Sequence, residues 1–241
     1  MQVIKSSSRP IKMCVVCCQH GDELIGKFVF DYFSKDIDRF PGLKIIFANE
    51  EAFKKRVRFT DEDLNRSYPG NINGSSEARL AARILKECVD APCVLDLHTT
   101  TSSVSMTPII AKLTAQSKRI LNLTSAKRIV IMDEKMAGNS LIGNLLNGVS
   151  FEYNENEAKR PTIKTDLVQV ITGYLDGRRK PQKMRELYQV NKLIDNRIKL
   201  PKTAKNFQKL SNQPIIPFLI GEKAYVTFQG FSLSPPTHEL I

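Results

Sequence analysis

Five short apolar runs recur along the chain as far as Glu152: Met13 to Cys18, Leu43 to Ala48, Cys93 to Leu97, Arg128 to Met132 and Val149 to Glu152. Between them, Glu23 to Phe33 sets apolar residues at helical spacing, and Ser76 to Val89 does the same through Ala78, Ala81, Ile84, Leu85 and Val89. Ser75 and Ser76 ahead of Glu77 supply a helix start. Strands that alternate with helices require crossover connections. The expected fold class is therefore α/β, a mostly parallel sheet flanked by helices. In such sheets ligands collect at the carboxyl ends of strands, so chemistry is to be sought there.

The pattern changes after Glu152. Thr165 to Leu175 reads as one more amphipathic helix ending near Gly177, followed by a basic, proline-marked connection from Pro181 to Pro201. Short strand-like pieces follow at Pro214 to Leu219, Ala224 to Phe228 and Phe231 to Leu233. The expected division is a domain over residues 1–180 and a small β-rich capping domain over 181–241.

No apolar stretch approaches the ~18 residues of a membrane span. Met1 to Pro10 carries no apolar signal region. Cys14 and Cys17 spell C-x-x-C, but on a strand residues three apart face opposite sides, so the two sulfurs cannot readily share a metal. Five unpatterned cysteines read as reduced core thiols and favour a soluble, cytoplasmic protein. The net charge of +11 is concentrated: Arg178 to Lys209 holds eleven basic and two acidic side chains. Such a stripe steers anions or contacts phosphate, although no nucleic-acid-reading motif accompanies it and a solvated surface explains it equally.

His20-Gly-Asp-Glu23 follows the first strand directly, and His98 ends the strand Val94-Leu-Asp-Leu-His98. Two of the three histidines thus stand at strand ends beside carboxylates. His20, Glu23 and His98 suit zinc and leave a fourth position for water, the open arrangement of a catalytic site. H-x-x-E alone is a weak signal, and a structural histidine explains it as well. Arg58 to Arg66 sets two arginines and an asparagine in a loop; arginine's planar fork grips carboxylates and stabilises oxyanions. Glu152 ends an apolar run, where an acid is costly without a role or partner. Beside an activated water it would act as general base and then acid.

His20-Gly-Asp-Glu23, Asp63-Leu-Asn-Arg66 and Asp96-Leu-His98, in this order, resemble the succinylglutamate desuccinylase/aspartoacylase family of the zinc carboxypeptidase clan. Asn49-Glu-Glu-Ala52, Gly148-Val-Ser-Phe-Glu152 and Phe218-Leu-Ile-Gly-Glu-Lys-Ala-Tyr225 extend the resemblance to residues 12–230. It implies one zinc per chain on His20, Glu23 and His98, with Glu152 as the base and Arg58 holding the oxyanion. Asn65 and Arg66 would grip a substrate carboxylate, and Tyr225 would close the pocket. The implied activity is hydrolysis of the amide of a small anionic N-acyl amino acid, such as an N-acyl aspartate or glutamate.

Three departures bear on aspartate specificity: Tyr153-Asn154 replaces the usual Val-Gly, Leu141 to Asn147 lacks an arginine, and Gln229 stands where aspartoacylases have a basic residue. Two alternatives stay open: a carboxypeptidase-like peptidase, and a binding protein that uses residues 178–209 on nucleic acid or an acidic partner. A membrane partner is not expected, nucleic acid lacks a reader, and homo-oligomerisation is left open.

Overall fold

The computed structural model describes residues 1–7 and 10–241. A single mixed sheet organises them in the order β1-β3-β2-β4-β7-β5-β6-β8-β10-β9, with β11 also paired to β8. Its left half is β1 (Gln2–Lys5), β2 (Met13–Cys17), β3 (Leu43–Phe47), β4 (Val94–Thr100) and β7 (Gly148–Asn154). Its right half is β5 (Thr107–Ile110), β6 (Arg128–Ile131), β8 (Met184–Asp195), β9 (Ile216–Phe218), β10 (Phe228–Leu233) and β11 (Thr237–Leu240). The β3-β2-β4-β7 block and the β5-β6-β8 block are each parallel inside. They meet antiparallel at β5 and β7.

The helices are α1 (Leu24–Ser34), α2 (Glu50–Lys55), α3 (Ser76–Cys88), α4 (Ala115–Leu123), α5 (Glu134–Ala137) and α6 (Pro161–Leu175). The two-residue period of the strands decides which of them each face meets. On β2, Met13, Val15 and Cys17 enter the large core with α1, α4 and α6, through Phe33, Ile120 and Ile171 among others. Cys14 and Val16 point the other way, into a smaller core with Ile84 and Cys88 of α3. Cys14 and Cys17 therefore lie on opposite faces, and all five cysteines are buried free thiols. α6 opens with Pro161 at its first turn and closes on Gly177, whose φ of +73° is the left-handed turn that ends a helix.

Five stretches differ from the sequence reading. The basic connection contains the twelve-residue strand β8. Leu187 enters the large core while Tyr188 and Val190 enter another on the opposite face, and the charged residues around them hid the strand. One of those charges, Arg185, is itself buried and donates to the carbonyls of Thr124 and Ala126. Ala224 to Phe228 forms a turn, with the Tyr225 amide donating to the Glu222 carbonyl at 3.1 Å, and β10 begins only at Phe228. β1, β5 and β11 were not anticipated: β1 and β11 are short and mostly exposed, and β5 contains Pro108, which reads as a strand breaker. No helix among the described residues is long and apolar enough to cross a membrane.

One buried carboxylate ties the sheet to the loop that follows α2. Glu77, near the start of α3, is 1% exposed. It accepts the Thr60 amide at 2.7 Å, the Thr60 hydroxyl at 2.7 Å, the Asp61 amide at 3.1 Å and the Asn49 side-chain amide at 3.2 Å. Burial would raise its pKa, but these donors outweigh burial and hold it at about 2. Glu77→Ala is expected to destabilise the fold by about 3 kcal/mol at neutral pH, since it strands several buried donors. A depressed folded pKa adds stability that is complete above the unfolded value near 4.5 and fades toward 2. Denaturant titrations at pH 7 and pH 3 should therefore show the gap between variant and wild type narrowing at the lower pH.

Candidate active site

Period two also builds the site. On β4, Leu95 and Leu97 enter the large core, so Asp96 and His98 face the opposite side. On β7, Val149, Phe151 and Tyr153 enter the same core, which turns Ser150 and Glu152 the other way. The parallel register pairs Asp96 with Ser150 and His98 with Glu152. All four line a cavity of about 630 Å³ above that face. The same cavity is bordered by His20, Glu23, Arg58, Asn65, Arg66 and Tyr225. Every residue singled out in the sequence therefore reaches one space.

His20 and Glu23 stand in the turn between β2 and α1, which is pressed against α2. A Cβ on Gly21 would sit 2.2 Å from the Ala52 carbonyl carbon, a backbone atom that no rotamer change can move away. Glycine is required for that approach. His20 Nδ1 lies 2.7 Å from Glu23 Oε1, and His98 Nδ1 lies 3.1 Å from Glu23 Oε2. One ligand atom from each of the three falls within 4.8 Å of the others. The outward nitrogens are also held: His20 Nε2 is 2.9 Å from Asp63 Oδ1, and His98 Nε2 is 2.8 Å from Asp96 Oδ2. A carboxylate behind each imidazole is the arrangement that orients metal-ligating histidines. Three carboxylates around two imidazoles also leave negative charge for a divalent cation to balance, so the donor set fits a metal such as zinc.

The electrostatics follow from the contacts. Burial would raise the Glu23 carboxyl, but His20 and His98 outweigh it and hold the group well below the usual carboxylate range. Burial would lower both imidazoles, but Glu23 with Asp63 and Asp96 raises them. Glu152 moves the other way. Burial pushes it up to about 7, Glu23 and Glu222 add to the rise, and His98 and Arg58 oppose it. Arg58 donates from Nε to Asp63 Oδ2 at 3.1 Å, and its Nη1 is 3.7 Å from Glu23 Oε1. Asn65 Oδ1 accepts the Leu141 amide at 3.2 Å, which leaves the Asn65 side-chain amide as a donor. Tyr225 stacks on Phe228 with ring centroids 4.3 Å apart. Burial and the nearby Glu152 keep its phenol protonated.

Glu222 is a participant that the sequence reading did not single out. Its carboxylate accepts the Thr101 amide at 2.8 Å and the Thr100 hydroxyl, fixing the turn that carries Tyr225 to the end of β4. Asp63 and Asp96 were visible only as parts of motifs; the signal for Asp96 is an acid two residues before a histidine, on the same strand face. Of the three sequence departures, Tyr153 faces the large core, Asn154 donates to the Ser102 carbonyl at 2.9 Å, and Gln229 donates to the carbonyls of Asp195 and Ile198. Tyr153, Asn154 and Gln229 do not line the cavity, whereas the arginine-free stretch reaches it through Ile142; the cations at its rim besides the two arginines are Lys135 and Lys192. His238, on β11, is exposed and remote from the cavity.

The catalytic-domain model of the succinylglutamate desuccinylase/aspartoacylase family matches residues 10–183. An aspartoacylase of Xenopus tropicalis is 36% identical over 109 residues, covering 38% of this chain and 34% of that protein. A probable aspartoacylase of Prochlorococcus marinus subsp. pastoris is 30% identical over 102 residues, covering 39% and 35%. The matched stretches thus span about a third of the length of these curated relatives. Over the whole chain the fold is that of murine aminoacylase 3, with TM-score 0.74 and 16% identity over 97% of this chain and 98% of that one. A succinylglutamate desuccinylase from Chromobacterium violaceum superposes with TM-score 0.75 and 15% identity over 96% and 86%.

Because Glu222 contributes to the raised Glu152 carboxyl, Glu222→Gln is expected to lower the Glu152 pKa from about 7. Carbon-detected NMR titration of the side-chain carboxyls reads this directly.

Proposed function

The chain belongs to the succinylglutamate desuccinylase/aspartoacylase family, and we propose that it is a zinc-dependent amidohydrolase that cleaves the amide of a small N-acyl amino acid. The observation that carries this reading is the convergence of His20, Glu23 and His98 on one point, with Glu152 beside His98 on the neighbouring strand. An N-acyl aspartate or glutamate is one substrate of this class. A second carboxylate on such a substrate would meet the rim cations Lys135 and Lys192.

His20, Glu23 and His98 would hold one zinc, which supplies a Lewis acid for the attacking water and the amide carbonyl. Glu152, its carboxyl raised by burial, takes the proton of the attacking water and delivers it to the departing nitrogen. Arg58 is anchored through Nε by Asp63, and its Nη groups, paired with Glu23 only at 3.7 Å, can donate to the oxygen on which charge develops. Arg66 and the Asn65 amide offer donors to the substrate's α-carboxylate. Tyr225 donates from the opposite wall. Glu222, Tyr225 and Phe228 wall one side of the cavity, which favours a small substrate over a long peptide. Lys192 belongs to the basic 178–209 stretch, which would raise the local concentration of anionic substrates. Five buried free thiols support a reducing compartment, the cytoplasm.

Metal analysis of purified protein is expected to give one zinc per chain, lost in His98→Ala; no zinc after reconstitution would sink the reading. Glu152→Gln should keep the zinc yet lower kcat by roughly 10²–10⁴-fold. In the wild type, kcat/KM should rise with pH along an acidic limb ending somewhat below 7, because a bound cation favours ionised Glu152. That limb should vanish in Glu152→Gln. Arg58→Ala should cost about 3 kcal/mol in kcat if it stabilises the oxyanion; a rise in KM alone would reassign it to substrate binding.

A further inference from the structure

His98 stands at one end of a buried hydrogen-bond chain that leads away from the cavity. Its Nε2 donates to Asp96 Oδ2 at 2.8 Å, and the same oxygen accepts the Gln19 side-chain amide at 2.7 Å. The other end of that amide, Oε1, accepts the Tyr68 hydroxyl at 2.8 Å. Water has little access to any of them, since Gln19 is 0% exposed, Asp96 1%, Tyr68 2% and His98 3%. We propose that Gln19 and Tyr68 are positioning residues which, through Asp96, hold His98 with Nδ1 toward Glu23 and so set the metal affinity of the site. This inference rests on the metal-site reading above.

The chain has a direction. An ionised carboxylate only accepts, so Asp96 Oδ2 needs a donor from each neighbour. The Gln19 amide has a donor end and an acceptor end of nearly the same shape, and either could face Asp96. The Tyr68 hydroxyl selects between them, because by donating to Oε1 it leaves Nε2 pointing at Asp96. Without that hydroxyl, one amide orientation strands the oxygen and the other sets oxygen against oxygen. Both leave a buried polar atom unpaired.

Asp96 has little else to fix it, since its Oδ1 has no hydrogen-bond partner among the described residues. Its position therefore depends on Oδ2, and so on Gln19 and His98. A ligating imidazole whose second N–H loses its carboxylate loses ring orientation and basicity together. Tyr68 is itself well fixed. Its amide donates to the Asn139 carbonyl at 3.2 Å, and its ring packs with Val16, Ile46 and Leu64.

The test measures the zinc dissociation constant of the full chain by chelator competition in wild type, Tyr68→Phe, Gln19→Leu and the double variant. Proton–nitrogen NMR follows the His98 Nε2–H resonance in metal-free and zinc-loaded samples. Tyr68→Phe is expected to weaken zinc binding by about tenfold, the lower end for loss of a partner behind a ligand. Its Nε2–H should exchange faster, and kcat should fall while KM holds. Gln19→Leu should weaken zinc further, and the double variant should be no weaker than Gln19→Leu alone, because both changes break one chain.

Unchanged zinc affinity with a slowly exchanging Nε2–H in Tyr68→Phe overturns the inference, and so do additive losses in the double variant. If Tyr68→Phe does not fold, Gln19→Leu carries the same two readouts. A wild type that binds no zinc overturns the metal reading instead. Faster Nε2–H exchange in metal-free Tyr68→Phe would still support the positioning of His98, so the two failures are distinguishable.

Discussion

The Glu23 carboxylate, 3% exposed and set between two imidazoles, is the interaction on which the geometry of the site depends. A buried carboxylate is tolerated only when charge and hydrogen bonds surround it. His20 and His98 supply both, one from its own turn and one from a strand 75 residues away in sequence. Each imidazole must then be satisfied at its other nitrogen, which brings in Asp63 and Asp96. Asp63 in turn recruits Arg58, and Asp96 recruits Gln19 and Tyr68. A polar network thus grows outward from one carboxylate as far as Arg58 on one side and Tyr68 on the other. Gly21 is the steric condition for it, since any side chain there would push the turn off α2 and move His20.

The sheet explains why this network sits where it does. The face of β4 and β7 that carries Asp96, His98, Ser150 and Glu152 would be buried under helices in a fully covered sheet. Here α3 covers the part beneath β2, β3 and the start of β4, and the remainder is left to the loops after β2, α2 and β6. Parallel strands make the pairing of His98 with Glu152 a matter of register. A slip of one residue would send one of the two into the large core. The antiparallel junction at β5 and β7 then turns the second block of the sheet so that β8 and the turn before β10 can wall the far side.

Much of this was legible in the sequence where residue chemistry and local period agreed. The apolar runs at β2, β3, β4, β6 and β7 announced the strands, and the histidines at strand ends announced the site. The sequence was opaque where tertiary context overrode local pattern. β8 was hidden because its apolar residues are interrupted by Arg185, Glu186, Lys192 and Asp195, and because a cation such as Arg185 can be buried against backbone carbonyls. β5 was hidden by Pro108, tolerated near the start of the strand because pairing with β6 begins only at Ile109. The roles of Gln19 and Tyr68 could not be read either. An amide before a histidine and a tyrosine after a loop are unremarkable until the fold sets them 2.8 Å apart.

The two cavity glutamates show how one space can hold opposite proton affinities. Glu23 and Glu152 face the same His98, yet one is held well below the usual carboxylate range and the other is raised to about 7. The difference lies in partners rather than depth. Glu23 is within hydrogen-bond distance of both imidazoles. On Glu152 burial acts most strongly and raises it, His98 and Arg58 oppose the rise, and Glu23 and Glu222 add to it. A pair whose surroundings push their proton affinities apart divides naturally into a permanent anion and an exchangeable base. Glu222 therefore serves twice, anchoring the turn that delivers Tyr225 and adding to the rise of the Glu152 carboxyl. A chain that kept His20, Glu23 and His98 but lost Glu222 would keep their geometry, while the turn that delivers Tyr225 would lose its anchor on Thr100 and Thr101.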